Sequence, residues 1–256
     1  MKKLWTCYLF LKTTSIFAGL ATTSLQEIDE FHLGPQEVYL IRHGESFFNV
    51  HKVNGMHVTS GKSEKLPLTE KGEQQAIALG VELAKKIPLG TEIVICSSTA
   101  LRAQKTADLL LHELSRFYQC ERGQSYEGLL ELSQGIFEGL PKDAKYMDEV
   151  NKWAALSAAD KWVTPKVSTG ESFREVSQRA FLALDKIVNE YKGKMIFVVT
   201  HNVTMISLTY LGCGYTPFTL SQIPGSKLPL LEYKNCDLLQ ISIEKPADLL
   251  HIKFAN

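Results

Sequence analysis

The apolar run Val38-Tyr39-Leu40-Ile41 ends abruptly in Arg42-His43-Gly44-Glu45-Ser46. A second run, TEIVICSS from Thr91 to Ser98, leads within one helical turn to Arg102. A third, MIFVVT from Met195 to Thr200, is followed by His201-Asn202. Brought together, two guanidiniums and two imidazoles repel one another unless an anion lies between them. Phosphate suits such a cluster, because the planar fork of arginine matches its oxygens and N–H groups at a helix start add further donors. Neutral imidazole is nucleophilic near pH 7, and a ring nitrogen that attacks phosphorus splits ester hydrolysis into two steps. In that chemistry His43 attacks, Arg42 and Arg102 hold the phosphoryl oxygens from two sides, and His201 donates a hydrogen bond to the same group. Each residue also has a plainer reading: His43 as a loop histidine bonded to backbone, Arg102 as a solvated helix cation, His201 as a core histidine. The four residues taken together at matching strand ends favour the chemical reading.

The elements that must position them alternate. Val38–Arg42, Thr91–Ser98 and Met195–Thr200 read as buried strands, and Asp237–Glu244 as a late strand. Leu68 to Ile87 is amphipathic, with Thr69 placed to cap it. Ala100 to Leu114 is a second helix, capped by Thr99 or Ser98, and Glu171 to Tyr191 a third, entered through Gly170. Continuous apolar strands separated by amphipathic helices predict an α/β three-layer sandwich with a mostly parallel central sheet flanked by helices. In such sheets ligands gather beyond the carboxyl ends of the strands, which is where all four residues fall.

Composition excludes several classes. Lys+Arg and Asp+Glu both number 28, so the chain is not a generally basic nucleic-acid binder. Five cysteines without a Cys-x-x-Cys pair argue against both a disulfide scaffold and a zinc site. Lys2 and Lys3 precede an apolar stretch, and small residues follow to Ala21, so residues 1–21 resemble a signal peptide, interrupted by Lys12. Export to a periplasmic or secreted location is expected from it; the alternative is a cytoplasmic protein with a loosely docked extension. The stretch is too short for stable membrane insertion. Residues 22–36 read as a linker, and residues 37–256 as one domain.

RHGESFFN, Arg42 to Asn49, resembles the signature of the histidine phosphatase superfamily, which includes the phosphoglycerate mutases. LTEKGEQQA from Leu68, SSTALRAQKTA from Ser97, LLELSQGIFEG from Leu129, STGESFREVSQR from Ser168 and VVTHNVTM from Val198 resemble the later motifs in order. The resemblance implies the same four roles for Arg42, His43, Arg102 and His201. A leaving alcohol also needs a proton, which a carboxylic acid supplies and later takes from water. Glu131 matches the family position for that acid, with Glu127 and Glu138 as rivals; Glu138-Gly139 reads better as a turn. Asn49 is implied to contact the phosphate or substrate, with a turn or cap role as the plain alternative. Asn202 stands where many relatives have Gly, and its amide either touches the phosphate or closes a turn. Glu45, Ser46, Glu171 and Ser172 read as residues that order loops or cap helices.

Within that superfamily the chain lacks a Gly-Trp-x-Asp element before its first helix, where it has VNGMHVTSGKSEKLPL, and its acidic segment is short. Both features favour net hydrolysis of a phosphorylated small molecule by a histidine acid phosphatase-type phosphomonoesterase, a phosphoprotein substrate not being excluded. The alternatives are a phosphoglycerate mutase and, in another class, a catalytically inactive module that binds phospho-ligands. No cofactor and no metal are expected, because the arginines supply the positive charge.

Overall fold

The computed structural model describes residues 37–212, 232–244 and 251–254. The leader 1–21, the linker 22–36 and Cys213 lie outside the described residues. A six-stranded sheet runs through the centre in the order β5-β4-β6-β1-β7-β8. Its strands are β1 (Glu37–Arg42), β4 (Glu92–Ser98), β5 (Gln119–Tyr126), β6 (Met195–Thr200), β7 (Leu238–Glu244) and β8 (His251–Phe254). The β5-β4-β6-β1 half is parallel, and β7 pairs antiparallel with both β1 and β8. A two-stranded hairpin, β2 (Lys52–Val53) with β3 (Met56–His57), stands apart.

The pleat sorts the core into two layers, because successive strand residues face opposite sides. Val38, Leu40, Val94, Cys96, Ile196 and Val198 pack with residues of α5 (Ala158–Val163), α6 (Phe173–Glu190) and α7 (Asn202–Gly212). Tyr39, Ile41, Ile93, Ile95, Phe197 and Val199 pack on the other side with α2 (Glu70–Lys86) and α3 (Leu101–Leu114). This is the α/β arrangement expected, a mostly parallel sheet between two helical layers. No helix among the described residues is long and apolar enough to cross a membrane.

The helix starts show where local chemistry decides. Thr69 caps α2 by accepting from the Gly72 N–H at 3.1 Å. Ser172 caps α6 in a reciprocal box with Glu175. The expectation that Ser98 or Thr99 caps α3 fails: the N-cap position is Ala100 and has no side-chain cap. Ser98 is drawn away to a histidine instead, and the Thr99 hydroxyl is buried without a partner. The polar strand β5 and the short helices α1 (Phe47–Val50) and α5 carry too little apolar pattern to be read in advance, whereas α4 (Ala144–Ala154) is amphipathic and was missed.

Candidate active site

Strand register brings the cluster together. Arg42 on β1 pairs with Thr200 on β6, and the His43 N–H donates to the Thr200 carbonyl at 3.0 Å. On the other side of β6, Ser97 of β4 pairs with Val199, so the three strand ends share one edge of the sheet. Arg102 arrives in the first turn of α3, almost wholly buried at 1 % exposure. Residues Arg42, His43, Asn49, Arg102, Glu131 and Asn202 all line one pocket of about 390 Å³, which Ser46, Phe48, Gln134, Tyr146, Lys142 and Lys166 also border.

His43 is buried, and its surroundings fix its tautomer. Its Nδ1 lies 2.7 Å from the Gly44 carbonyl oxygen, which can only accept, so Nδ1 carries the proton. Nε2 then carries the lone pair, and Arg102 Nε–H donates to it at 3.3 Å. Burial, and after it the Arg102 charge, hold the His43 pKa well below its ordinary value, so the ring is neutral at pH 7. Gly44 has close-packed reasons to be glycine: a Cβ there would lie 2.3 Å from the Gly72 carbonyl oxygen. The Gly44 N–H is in turn held by Thr106 Oγ1 at 3.1 Å.

The His201 ring meets the His43 ring edge-on, with centroids 5.0 Å apart. Its Nε2 lies 2.7 Å from Ser98 Oγ, while its Nδ1 is buried without a protein partner. Burial, then the charge of Arg102, keep this imidazole neutral as well. Arg102 donates through Nη1 to the Ser63 carbonyl at 2.6 Å and through Nη2 to the Gly61 carbonyl at 3.3 Å. With Nε–H on His43, two of its five N–H bonds are left for a ligand. Arg42 donates to the Tyr233 carbonyl, and its Nε has no protein partner. Burial lowers both guanidiniums from their usual value, Arg102 to about 10, and the Glu131 charge opposes that fall. Both are therefore cations at neutral pH.

Glu131 enters from the segment after β5. Its Oε1 accepts from the Leu132 N–H at 2.9 Å and from the Val203 N–H at 3.1 Å, in the first turn of α7. Asn49 and Asn202 each border the pocket but spend their oxygens on structure. Asn49 Oδ1 accepts from the Ser46 N–H at 2.9 Å, and Asn202 Oδ1 from the Tyr233 N–H at 3.0 Å. Each keeps an amide nitrogen as a donor. Of the two rivals to Glu131, Glu138 is occupied by Lys62, Ser133 and Gln134, and Glu127 opens a 3-10 turn (Glu127–Leu129) away from the pocket lining. Glu45 binds Thr69 and Lys71 and orders its loop.

Sequence reasoning gave no role to Ser98 as the partner of His201, to Thr106 beneath Gly44, or to Lys142 and Lys166 at the pocket wall. A serine at the end of an apolar strand opposite a histidine is a signal only once strand order is known.

The model of the histidine phosphatase superfamily (branch 1) matches residues 38–244. The chain belongs to this superfamily. A Citrobacter koseri protein named "Probable phosphoglycerate mutase GpmB" is 29% identical over 210 residues, covering 82% of this chain and 86% of that protein. The fold is similar to Bacillus stearothermophilus YhfR, with TM-score 0.58 and 26% identity over 84% of this chain and 94% of the other. It is also similar to a mycobacterial glucosyl-3-phosphoglycerate phosphatase solved with VO3, with TM-score 0.63 and 21% identity over 86% and 98%. At that identity the second likeness speaks for the superfamily fold alone.

Proposed function

We propose that this histidine phosphatase is a metal-independent phosphomonoester hydrolase that works through a phosphohistidine on His43. The observation that carries the reading is the His43 ring: buried, neutral, protonated on Nδ1, bordering a pocket walled by two arginines, with its Nε2 lone pair engaged only by the long 3.3 Å contact from Arg102 Nε–H. His43 Nε2 attacks phosphorus and the ester P–O bond breaks. Glu131 gives its proton to the departing alkoxide oxygen. Water then attacks the phosphohistidine, Glu131 takes a proton from that water, the P–N bond breaks, and inorganic phosphate leaves.

Charge on the transferred group is met by Arg42, Arg102 and His201. The buried, unpartnered Arg42 Nε and His201 Nδ1 support this assignment, because an unsatisfied buried donor costs about 1–3 kcal/mol that a phosphoryl oxygen removes. For His201 the match requires Nδ1–H, with Ser98 Oγ–H donating to Nε2. Two guanidiniums supply the charge that a divalent cation supplies elsewhere, so EDTA is expected to leave activity intact and vanadate to inhibit.

Phosphoglycerate mutase is the second reading, favoured by the names of the relatives. The two separate on one substrate set: 3-phosphoglycerate with 2,3-bisphosphoglycerate, and a panel of other phosphomonoesters, all with EDTA. Phosphate release across several esters supports the hydrolase. Interconversion of phosphoglycerates without release supports the mutase. Neither activity from folded protein returns the chain to a phospho-ligand binding module.

A further inference from the structure

Arg179, on the inner side of α6, spends every N–H it has within the protein. Nε and Nη2 donate to the two oxygens of Glu171 at 3.0 and 2.9 Å. Nη1 donates to the carbonyls of Gly128 and Leu130 at 2.8 and 2.7 Å, and Nη2 to the carbonyl of Glu131 itself at 2.9 Å. Glu171 in turn accepts from the Ser133 N–H at 2.9 Å and pairs with Lys62 Nζ at 2.7 Å. The segment 128–133, which carries Glu131, is thus gripped on both sides of that residue by one ion pair. The side chains of Arg179 and Glu171 are 18 % and 17 % exposed, so the pair is largely shielded from water.

The same network reaches the opposite wall. Lys62 lies between Gly61 and Ser63, whose carbonyls hold Arg102. Its own N–H donates to Glu138 Oε1 at 3.0 Å, which also accepts from Ser133 Oγ and the Gln134 N–H. Two carboxylates therefore tie the segment of Glu131 to the loop that grips Arg102. Neither Arg179 nor Glu171 borders the pocket.

We propose that the Arg179–Glu171 pair is a positioning device for proton transfer, holding Glu131 at the place where the leaving oxygen departs. The proposal rests on the reading of Glu131 as the acid, and it assigns these two residues a role in proton transfer rather than in the fold at large. A misplacement of about 1 Å in a reacting group costs on the order of a hundredfold in rate. Arginine is needed because only a planar fork with five donors can serve a carboxylate and three carbonyls at once.

Leaving-group dependence separates this role from a structural one. A 4-nitrophenolate departs without a proton, whereas an alkoxide does not. The test is kcat/KM, which reports the phosphoryl-transfer step, for 4-nitrophenyl phosphate and for glycerol 3-phosphate. Wild type is compared with Arg179→Lys, Glu171→Gln and, as reference, Glu131→Gln. Both brace variants are expected to lose about 10- to 100-fold on the alkyl ester and a much smaller factor on the aryl ester, following Glu131→Gln in pattern. Equal losses on the two esters, in protein whose circular dichroism matches wild type, overturn the proposal. Glu171→Gln serves if Arg179→Lys does not fold, because it keeps every carbonyl contact of the arginine. If Glu131→Gln shows no leaving-group dependence, the acid assignment falls and the brace with it. If Glu131→Gln shows it and the brace variants do not, the brace alone falls.

Discussion

Arg102 donates its Nε–H to His43 Nε2 across 3.3 Å, while His43 Nδ1 stands 2.7 Å from the Gly44 carbonyl. The two contacts agree on one tautomer and aim the lone pair of the imidazole at the guanidinium. The 3.3 Å contact is long for an N–H bond to nitrogen and so is readily given up. On the proposed mechanism, a phosphoryl group that enters between the two residues meets a neutral imidazole on one side and a cation on the other.

Arg102→Lys keeps the charge and removes the geometry. Lysine has no Nε–H to set against His43 and no fork to span the carbonyls of Gly61 and Ser63. The expected loss in kcat/KM is about 10²–10³-fold, the value of a lost transition-state donor. Steady-state kinetics on one ester checks it, and a loss under threefold would remove Arg102 from the phosphate clamp.

The loop that follows His43 rests directly on the start of α2. A Cβ on Gly72 would lie 1.9 Å from the Glu45 carbonyl oxygen, a backbone atom that cannot swing aside. Gly72→Ala is expected to destabilise the protein by about 1–3 kcal/mol or more through overpacking and to lower activity by shifting His43. Urea unfolding together with kinetics measures both, and wild-type behaviour in each would contradict the packing account.

These two cases show what the chain discloses in advance. Arg42, His43 and His201 were legible because an apolar run that stops at a charged residue marks a strand end, and parallel strand ends share an edge. Glu131 was legible through family resemblance alone, since an acidic residue after the weakly patterned β5 carries no periodic signal. Ser98 was misread as a cap, because a serine before a helix looks the same whether it bonds the helix or a histidine just beyond the neighbouring strand β6. Arg179 lay inside a recognised motif, yet its five hydrogen bonds to four residues spread over 128–171 leave no trace in local sequence. The hairpin of β2 and β3 was not anticipated either; Val58, just after β3, bridges to Pro141, a pairing set by tertiary contact.

Buried neutral histidines make stability depend on pH. Both His43 and His201 have pKa values pushed well below 6.5 by burial. Their protons bind more readily to the unfolded chain, so their contribution is whole above about pH 6.5 and is lost as pH falls below it, by up to about 1.4 kcal/mol per pH unit for each ring. Denaturant titrations between about pH 7.5 and about pH 5.5 should show this slope, flattened in His201→Gln. An identical slope in that variant would mean that another group carries the proton uptake.

At the pocket wall Lys166 is half-buried, and burial followed by the charge of Lys142 lowers its pKa. Neither lysine has an ion-pair partner among the described residues. An ester with a carboxylate beyond the phosphate is expected to bind more tightly than its uncharged counterpart, by about tenfold or ~1.4 kcal/mol. Competitive inhibition of aryl phosphate hydrolysis by 3-phosphoglycerate and by glycerol 3-phosphate gives the ratio, and Lys166→Met should bring it toward unity. Equal inhibition constants in wild type would leave these lysines without a ligand.

The most direct measurement is to capture the covalent intermediate. The protein is mixed with an aryl phosphate, quenched within milliseconds in alkali, where phosphohistidine survives and a phosphoserine ester is distinguished by its acid stability, and digested for mass spectrometry. One phosphoryl group on the peptide containing His43, absent from His43→Ala and lost on acidification, is the predicted result. Turnover of the ester with no phosphorylated peptide at any time, or with the phosphoryl group on another residue, would contradict His43 as the nucleophile.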